Sequence, residues 1–199
     1  MKTANFLIVG VGGQGTILAS DVVAEVGLRL GCDVKKSEIH GMSQRGGSVE
    51  SHVRWADKVY SPLCARGEVN YLVALESLEA ARWADYVAPN GLAVINTQRV
   101  APLVVSSGQA RYPTDREIRG IYLQRTERIH FVDGLGIARR LGNQAVASVV
   151  LLGYLSAFLD VDRADWEEVV RRRVPARFVQ LNIEALEAGR SLAEAPKVI

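Results

Sequence analysis

Cysteine is scarce, with only Cys32 and Cys64 in 199 residues. An iron–sulfur cluster takes four thiolates, so this chain alone cannot hold one. A disulfide-stapled scaffold is excluded too, and a reducing cytoplasm is the expected compartment. Histidine is nearly as rare: His40, His52 and His130 lack the His-x-x-x-His spacing of a zinc helix, so no metal site is expected. His52 and His130 fall within strand patterns and read as structural residues. Aromatics are 7% of the chain, and the net charge is +2, too small a surplus for a nucleic-acid footprint. The most apolar stretch, 144–159, is short of the ~20 residues of a membrane span and is interrupted by Ser148, Gly153 and Ser156. No signal-peptide core precedes the first apolar run at Phe6. No lysine follows the N-terminal glycines as in a phosphate-binding loop, and there is no nucleophile elbow or evident catalytic carboxylate pair.

What remains is an ordinary globular composition, 48% hydrophobic and 23% charged, at a length suited to one good-sized domain. Its organising stretch is Ile8-Val9-Gly10-Val11-Gly12-Gly13-Gln14-Gly15. An apolar run enters glycines spaced G-x-G-x-x-G, and a helical pattern follows. Gly10 permits a sharp turn, Gly12 and Gly13 let a ligand approach bare backbone, and Gly15 allows the helix to pack near the strand. The helix start then offers unpaired N–H groups suited to an anion.

Strands are expected at 5–9, 32–35, 48–55, 71–75, 92–96 and 129–132. Val59 and Tyr60 are expected to start a hairpin partner, and 99–111 to be a strand excursion with Pro102 at an edge. Helices are expected at 14–30 with Gly31 closing it, 78–87 with Ser77 as cap, 114–124 behind the capping box Thr114–Glu117, and 134–141. Asn143 caps an all-round apolar, buried helix over 144–159; helices at 163–173 and 177–188 follow, the last closing at Gly189. Residues 190–199 carry no pattern. The alternation predicts an α/β fold, a three-layer Rossmann-like sandwich whose sheet is mostly parallel and partly mixed, with a helical C-terminal part. Residues 1–142 form the α/β core and 143–199 the C-terminal helices of a single domain, on this reading.

Two stretches are candidate binding elements. In the glycine loop these are Gly12, Gly13, Gln14 and Gly15. The second stretch, 36–47, is polar, glycine-rich and without a sustained period. Its candidates are Ser43, Gln44, Arg45, Gly46 and Gly47, where Arg45 offers a planar donor fork beside two glycines. A ribose-binding acid should stand at the end of the second strand. Asp33 sits at that strand's start and Glu38 lies beyond its end, which weakens a dinucleotide reading. Cys64 reads as a small buried residue.

Gly10-Val-Gly-Gly-Gln-Gly15, together with Lys36-Ser-Glu-Ile-His-Gly-Met-Ser-Gln-Arg-Gly-Gly-Ser-Val49, resembles the gamma-type subunit family of 2-oxoacid:ferredoxin oxidoreductases. The longer motif is most similar to the small-subunit type of the indolepyruvate ferredoxin oxidoreductases. The resemblance covers most of the chain. It implies a subunit, inactive alone, of a complex that oxidatively decarboxylates a 2-oxoacid to an acyl-CoA and passes electrons to ferredoxin. It implies thiamine diphosphate and 4Fe-4S clusters on a large partner subunit, and coenzyme A as substrate at a shared site near the glycine loop. No catalytic residue is assigned to this chain. The alternatives are a stand-alone NAD(P)- or flavin-binding oxidoreductase and a scaffolding module with a vestigial loop.

Overall fold

The structure, a computed structural model, describes residues 3–41 and 46–195. One six-stranded sheet, ordered β2-β3-β1-β4-β5-β6, runs through it. At its centre β1 (Ala4–Val11) is buried at every position, because it lies between β3 (Ser48–Ala56) and β4 (Val69–Ala74). From β1 to β5 (Val87–Asn96) and β6 (Ile129–Val132) the sheet is parallel; β3 is antiparallel to both β1 and β2 (Asp33–His40).

Helices cover both faces. On one, α1 (Thr16–Arg29), α6 (Ala147–Ser156), α7 (Arg163–Arg173) and α8 (Val179–Glu194) build the larger core around Phe6, Ile8, Val73 and Val94. On the other, α2 (Ser77–Trp83) and α4 (Asp115–Tyr122) pack on Leu7, Val9, Leu72 and Ile95. The remaining helices are the short α3 (Leu103–Ser106) and α5 (Gly134–Arg140). This is the expected three-layer α/β sandwich with a mixed sheet and a helical C-terminal part.

Local signals explain several boundaries. Gly31, at φ 78, closes α1: its N–H reaches the Leu28 carbonyl and that of Cys32 reaches Gly27. The Thr114–Glu117 capping box opens α4 with both reciprocal bonds formed. Asn143 accepts the Ala145 N–H, but a 3-10 turn over 144–146 separates it from α6. α6 is buried on all sides, as its composition predicts.

Other expectations are corrected. β2 continues to His40, where an aperiodic loop was expected from residue 36, because it pairs with β3 along its whole length, from Asp33↔Ala56 to His40↔Val49. It holds by its ladder rather than by burial, so it carries no apolar alternation. β3 alternates as its sequence suggests, with Val49, Ser51, Val53 and Trp55 buried and Ser48, Glu50 and Arg54 partly covered, except that His52 is buried as well, against Trp83 and Tyr86. Val59 and Tyr60 form no strand; the Val59 N–H bonds the Asp33 carboxylate and Tyr60 is exposed. Residues 99–111 hold the short α3 rather than a strand. Asn90-Gly91 makes a bulge inside β5, with Asn90 at φ 64. Glu76, not Ser77, caps α2. α8 runs straight through Gly189 to Glu194.

Candidate functional site

The candidate cleft lies at the carboxyl end of β1. There the Gly12 N–H donates to the Gly47 carbonyl at 2.9 Å. This bond joins the two stretches that the sequence singles out, which α1 and β2 separate along the chain. The cleft has a volume near 480 Å³ and is lined by Gly12, Gly13, Gly15, Thr16, Ile17, His40 and Val49. Its wall is the first turn of α1, whose leading N–H groups have no partner within the helix. Gly13 and Gly15 stand at φ 100 and 89, a region that a side chain strains. Ser43, Gln44 and Arg45 lie outside the described residues; Gly46 and Gly47 lead from them into β3. No lysine or arginine among the described residues lines this cleft.

Gln14 takes an unexpected part. Its side-chain carbonyl accepts the Val11 N–H at 2.7 Å, while its own N–H reaches the Val11 carbonyl at 3.1 Å. The side chain thus clamps the glycine turn. Its amide nitrogen is left buried and unpaired, beside a second cavity of about 230 Å³ on the other flank of the loop. Asn96, Gln98, Gln144 and Ser148 line that cavity with Gln14. Gly10 and Gly15 serve packing differently from the sequence reading. A Cβ on Gly10 would meet Gln14 and Leu75 at 2.9 and 3.0 Å, and one on Gly15 would meet Ser148 of α6 at 2.7 Å, so Gly15 brings helix to helix rather than helix to strand.

The two acids considered for a ribose do other work. Asp33 lies at the far end of β2, pairing with Lys35 and Lys58. Glu38 pairs with Lys36, which also bonds Asp21 of α1. Moreover, β3 occupies the place beside β1 where a dinucleotide fold puts its second strand.

Beneath the cleft sits a group of polar side chains that the sequence reading missed. Ser48 donates to Glu79 of α2, and Glu79 also accepts from Arg82 at 2.8 Å. Glu50, on the same face of β3, is partly buried near Glu79, and these two causes, desolvation first, raise its carboxyl to about 7. His52 accepts the Cys64 N–H at Nδ1, so its proton sits on Nε2, 4.0 Å from Glu50; burial lowers its basicity. Burial pushes the Cys64 thiol up to about 11, as befits a packing residue. The signal in the sequence was the alternation Ser48, Glu50, His52, Arg54, which reads as a solvent face; Glu79 and Trp83 of α2 reach Ser48 and His52 on it.

A pH dependence follows. Glu50 binds its proton more tightly folded than unfolded, so it supports stability at low pH and that support is lost as pH rises from about 4.5 to 7. Glu50→Gln is expected to leave stability at pH 5 nearly unchanged and to raise it at pH 8 by on the order of 2 kcal/mol. Urea midpoints at the two pH values measure this, and an equal change at both contradicts it.

The family described as pyruvate ferredoxin/flavodoxin oxidoreductase matches residues 5–192. The chain belongs to this family. It is 39% identical over 189 residues to the indolepyruvate oxidoreductase subunit IorB of Archaeoglobus fulgidus, covering 93% of this chain and 92% of that one. Against the subunit of the same name from Thermococcus kodakarensis it is 35% identical over 192 residues, with 95% of each covered. Among solved structures, the gamma subunit of a keto/oxoacid ferredoxin oxidoreductase from Geobacter sulfurreducens superposes with a TM-score of 0.72 at 24% identity, covering 97% of this chain and 99% of that one. The fold also recurs, at TM-score 0.72 and 18% identity, within the 2-oxoglutarate:ferredoxin oxidoreductase of Magnetococcus marinus, where all of this chain matches 32% of the longer one. Among the described residues no helix is long and apolar enough to cross a membrane, and no group of three or more His, Cys, Asp or Glu side chains is placed to hold a metal ion.

Proposed function

We propose that the chain is the small subunit of a 2-oxoacid:ferredoxin oxidoreductase of the indolepyruvate type, and that its glycine-loop cleft forms one wall of a site shared with a large subunit. The observation that carries this reading is the Gly12–Gly47 hydrogen bond, which closes the two family motifs around a single cleft. In this reading Gly12–Gly15 and Ser43–Gly47 meet the anionic part of coenzyme A. The leading N–H groups of α1 suit an anion. Full charge must come from Arg45 or from the partner, since the described lining holds no other fixed cation. Thiamine diphosphate would supply the carbanion chemistry and the clusters a path for electrons to ferredoxin; both belong to the large subunit here. Cys32 and Cys64 cannot substitute, because Cys64 is committed to the core and two thiols are too few for a cluster.

Coexpression with the large subunit tests the assignment. The expected result is a stable complex that reduces ferredoxin in the presence of an aryl-pyruvate and coenzyme A. Failure to associate, or association without that activity, rejects it. Within an active complex, Arg45→Ala is expected to raise KM for coenzyme A or lower turnover by about tenfold, equal to 1.4 kcal/mol, with little change in melting temperature. Melting that falls while kinetics hold would assign Arg45 a structural role instead. A stand-alone nucleotide enzyme is disfavoured by the position of β3 and of Asp33. Calorimetry of the chain with NAD(P) and flavins should show no saturable binding.

A further inference from the structure

A further cavity opens at the opposite end of the sheet, at the amino ends of β1, β4 and β5, with a volume near 730 Å³. That is within the range of small-molecule sites, about 300–1,000 Å³. Aromatic residues are few in this chain, yet Trp55, Tyr71 and Phe158 all line this one cleft. Their rings are held in place. Phe6 is wedged between Trp55 and Tyr71, with centroids 4.5 and 5.1 Å away, and Phe158 lies against His130 and Tyr154 at 5.2 and 5.6 Å. Leu30, Leu159 and Val161 complete the apolar lining. A wall fixed in this way loses little entropy when a flat ring lies on it.

Two charges of opposite sign face the same cavity. Arg128 lines it with one N–H spent on the Asn90 carbonyl at 3.1 Å, which steadies the guanidinium. Asp160 lines it from the turn after α6. Most surface acids and bases here are paired, including Arg29, Lys35, Arg99, Arg125 and Arg163. Arg128 and Asp160, by contrast, have no ion-pair partner among the described residues, not even each other. An unpaired cation and an unpaired anion bordering a rigid aromatic cleft match a ligand that carries both charges and a ring.

We propose that this cleft binds a free aromatic α-amino acid, its carboxylate on Arg128, its ammonium on Asp160 and its side chain against Trp55, Tyr71 and Phe158. The site is separate from the glycine-loop cleft and does not depend on the function assigned to that cleft. An aromatic amino acid and an aryl-pyruvate differ by one transamination, so such a site would let the subunit register the aminated counterpart of its proposed substrate.

Calorimetric titration of the full chain with L-tryptophan tests this. One saturable site in the micromolar to millimolar range is expected. Indole-3-propionate, which lacks the ammonium, and tryptamine, which lacks the carboxylate, should each bind at least about tenfold more weakly. Arg128→Gln and Asp160→Asn should each weaken L-tryptophan by a similar factor. Asp160→Asn should leave indole-3-propionate unaffected, and Arg128→Gln should leave tryptamine unaffected. Absence of saturable binding overturns the proposal, as does equal binding of either analogue or a loss in only one variant. The analogue titrations use the unaltered chain and do not depend on how the variants fold.

Discussion

Gly189→Ala and Gly153→Ala are each expected to destabilise the chain by about 3 kcal/mol or more, the largest effect of any single methyl in this molecule. The reason is the crossing of α6 and α8, where backbone meets backbone. A Cβ on Gly153 would overlap the Leu186 carbonyl oxygen and lie 2.7 Å from its carbon; one on Gly189 would overlap the Val150 oxygen and lie 2.9 Å from the Tyr154 nitrogen. Neither obstacle is a side chain that could rotate away. Both helices are fixed on their other sides, α6 by the sheet and α8 through Ile183 and Leu186 in the core. Ordinarily glycine-to-alanine in a helix stabilises by up to about 1 kcal/mol. Gly120 in α4 provides that control, since a Cβ there meets nothing within 4 Å. The measurement is the urea midpoint of all three variants. If Gly189→Ala and Gly120→Ala behave alike, the close crossing is wrong.

Glu76→Ala is expected to cost about 3–5 kcal/mol and to release the segment from Val100 to Tyr112. Glu76 is 1% exposed, and its two oxygens serve three donors on different elements. One accepts the Glu79 N–H at 2.8 Å and caps α2; the other accepts the Val100 N–H at 2.9 Å and the Tyr112 hydroxyl. The Tyr112 oxygen in turn accepts the Leu78 N–H at 2.8 Å. Burial and the neighbouring Glu76 hold the Tyr112 phenol well above its usual range, so it remains a donor. Removing the carboxylate strands several donors at once, where losing a solvent-exposed cap costs about 1 kcal/mol. Tyr112→Phe removes only one bond to that carboxylate and should cost less. Denaturation midpoints rank the two variants, and hydrogen exchange at the Val100 amide reports the segment. A loss below about 1 kcal/mol for Glu76→Ala, or unchanged exchange at Val100, would count against this account.

Much of the chain could be read from local chemistry. The glycine turn, the Gly31 closure, the Thr114–Glu117 box and the apolar α6 each depend on residues within a few positions of one another, so their signals are local. The glycine loop and the 36–47 stretch were legible only as two motifs of one family; that Gly12 and Gly47 bond is a matter of β1 and β3 lying side by side. Gln14 was singled out for a ligand, yet its carbonyl closes the turn, because the turn brings Val11 within reach.

What only the tertiary structure decided are properties that depend on neighbours distant in sequence. β2 is long because β3 offers it a full ladder, although its own side chains show no strand period. His52 is buried because Trp83 and Tyr86 pack against it, although alternation puts it on a polar face. Gly189 reads as a helix end and is instead a point of contact, because α6 crosses there. The sequence by itself determined the α/β alternation, the glycine turn at 10–15 and the family, all encoded in short-range patterns of apolar and special residues. Strand order, the burial of His52 on β3 and the bond between Gly12 and Gly47 arise from packing, since they depend on which elements meet across the sheet and not on the residues beside them in the chain.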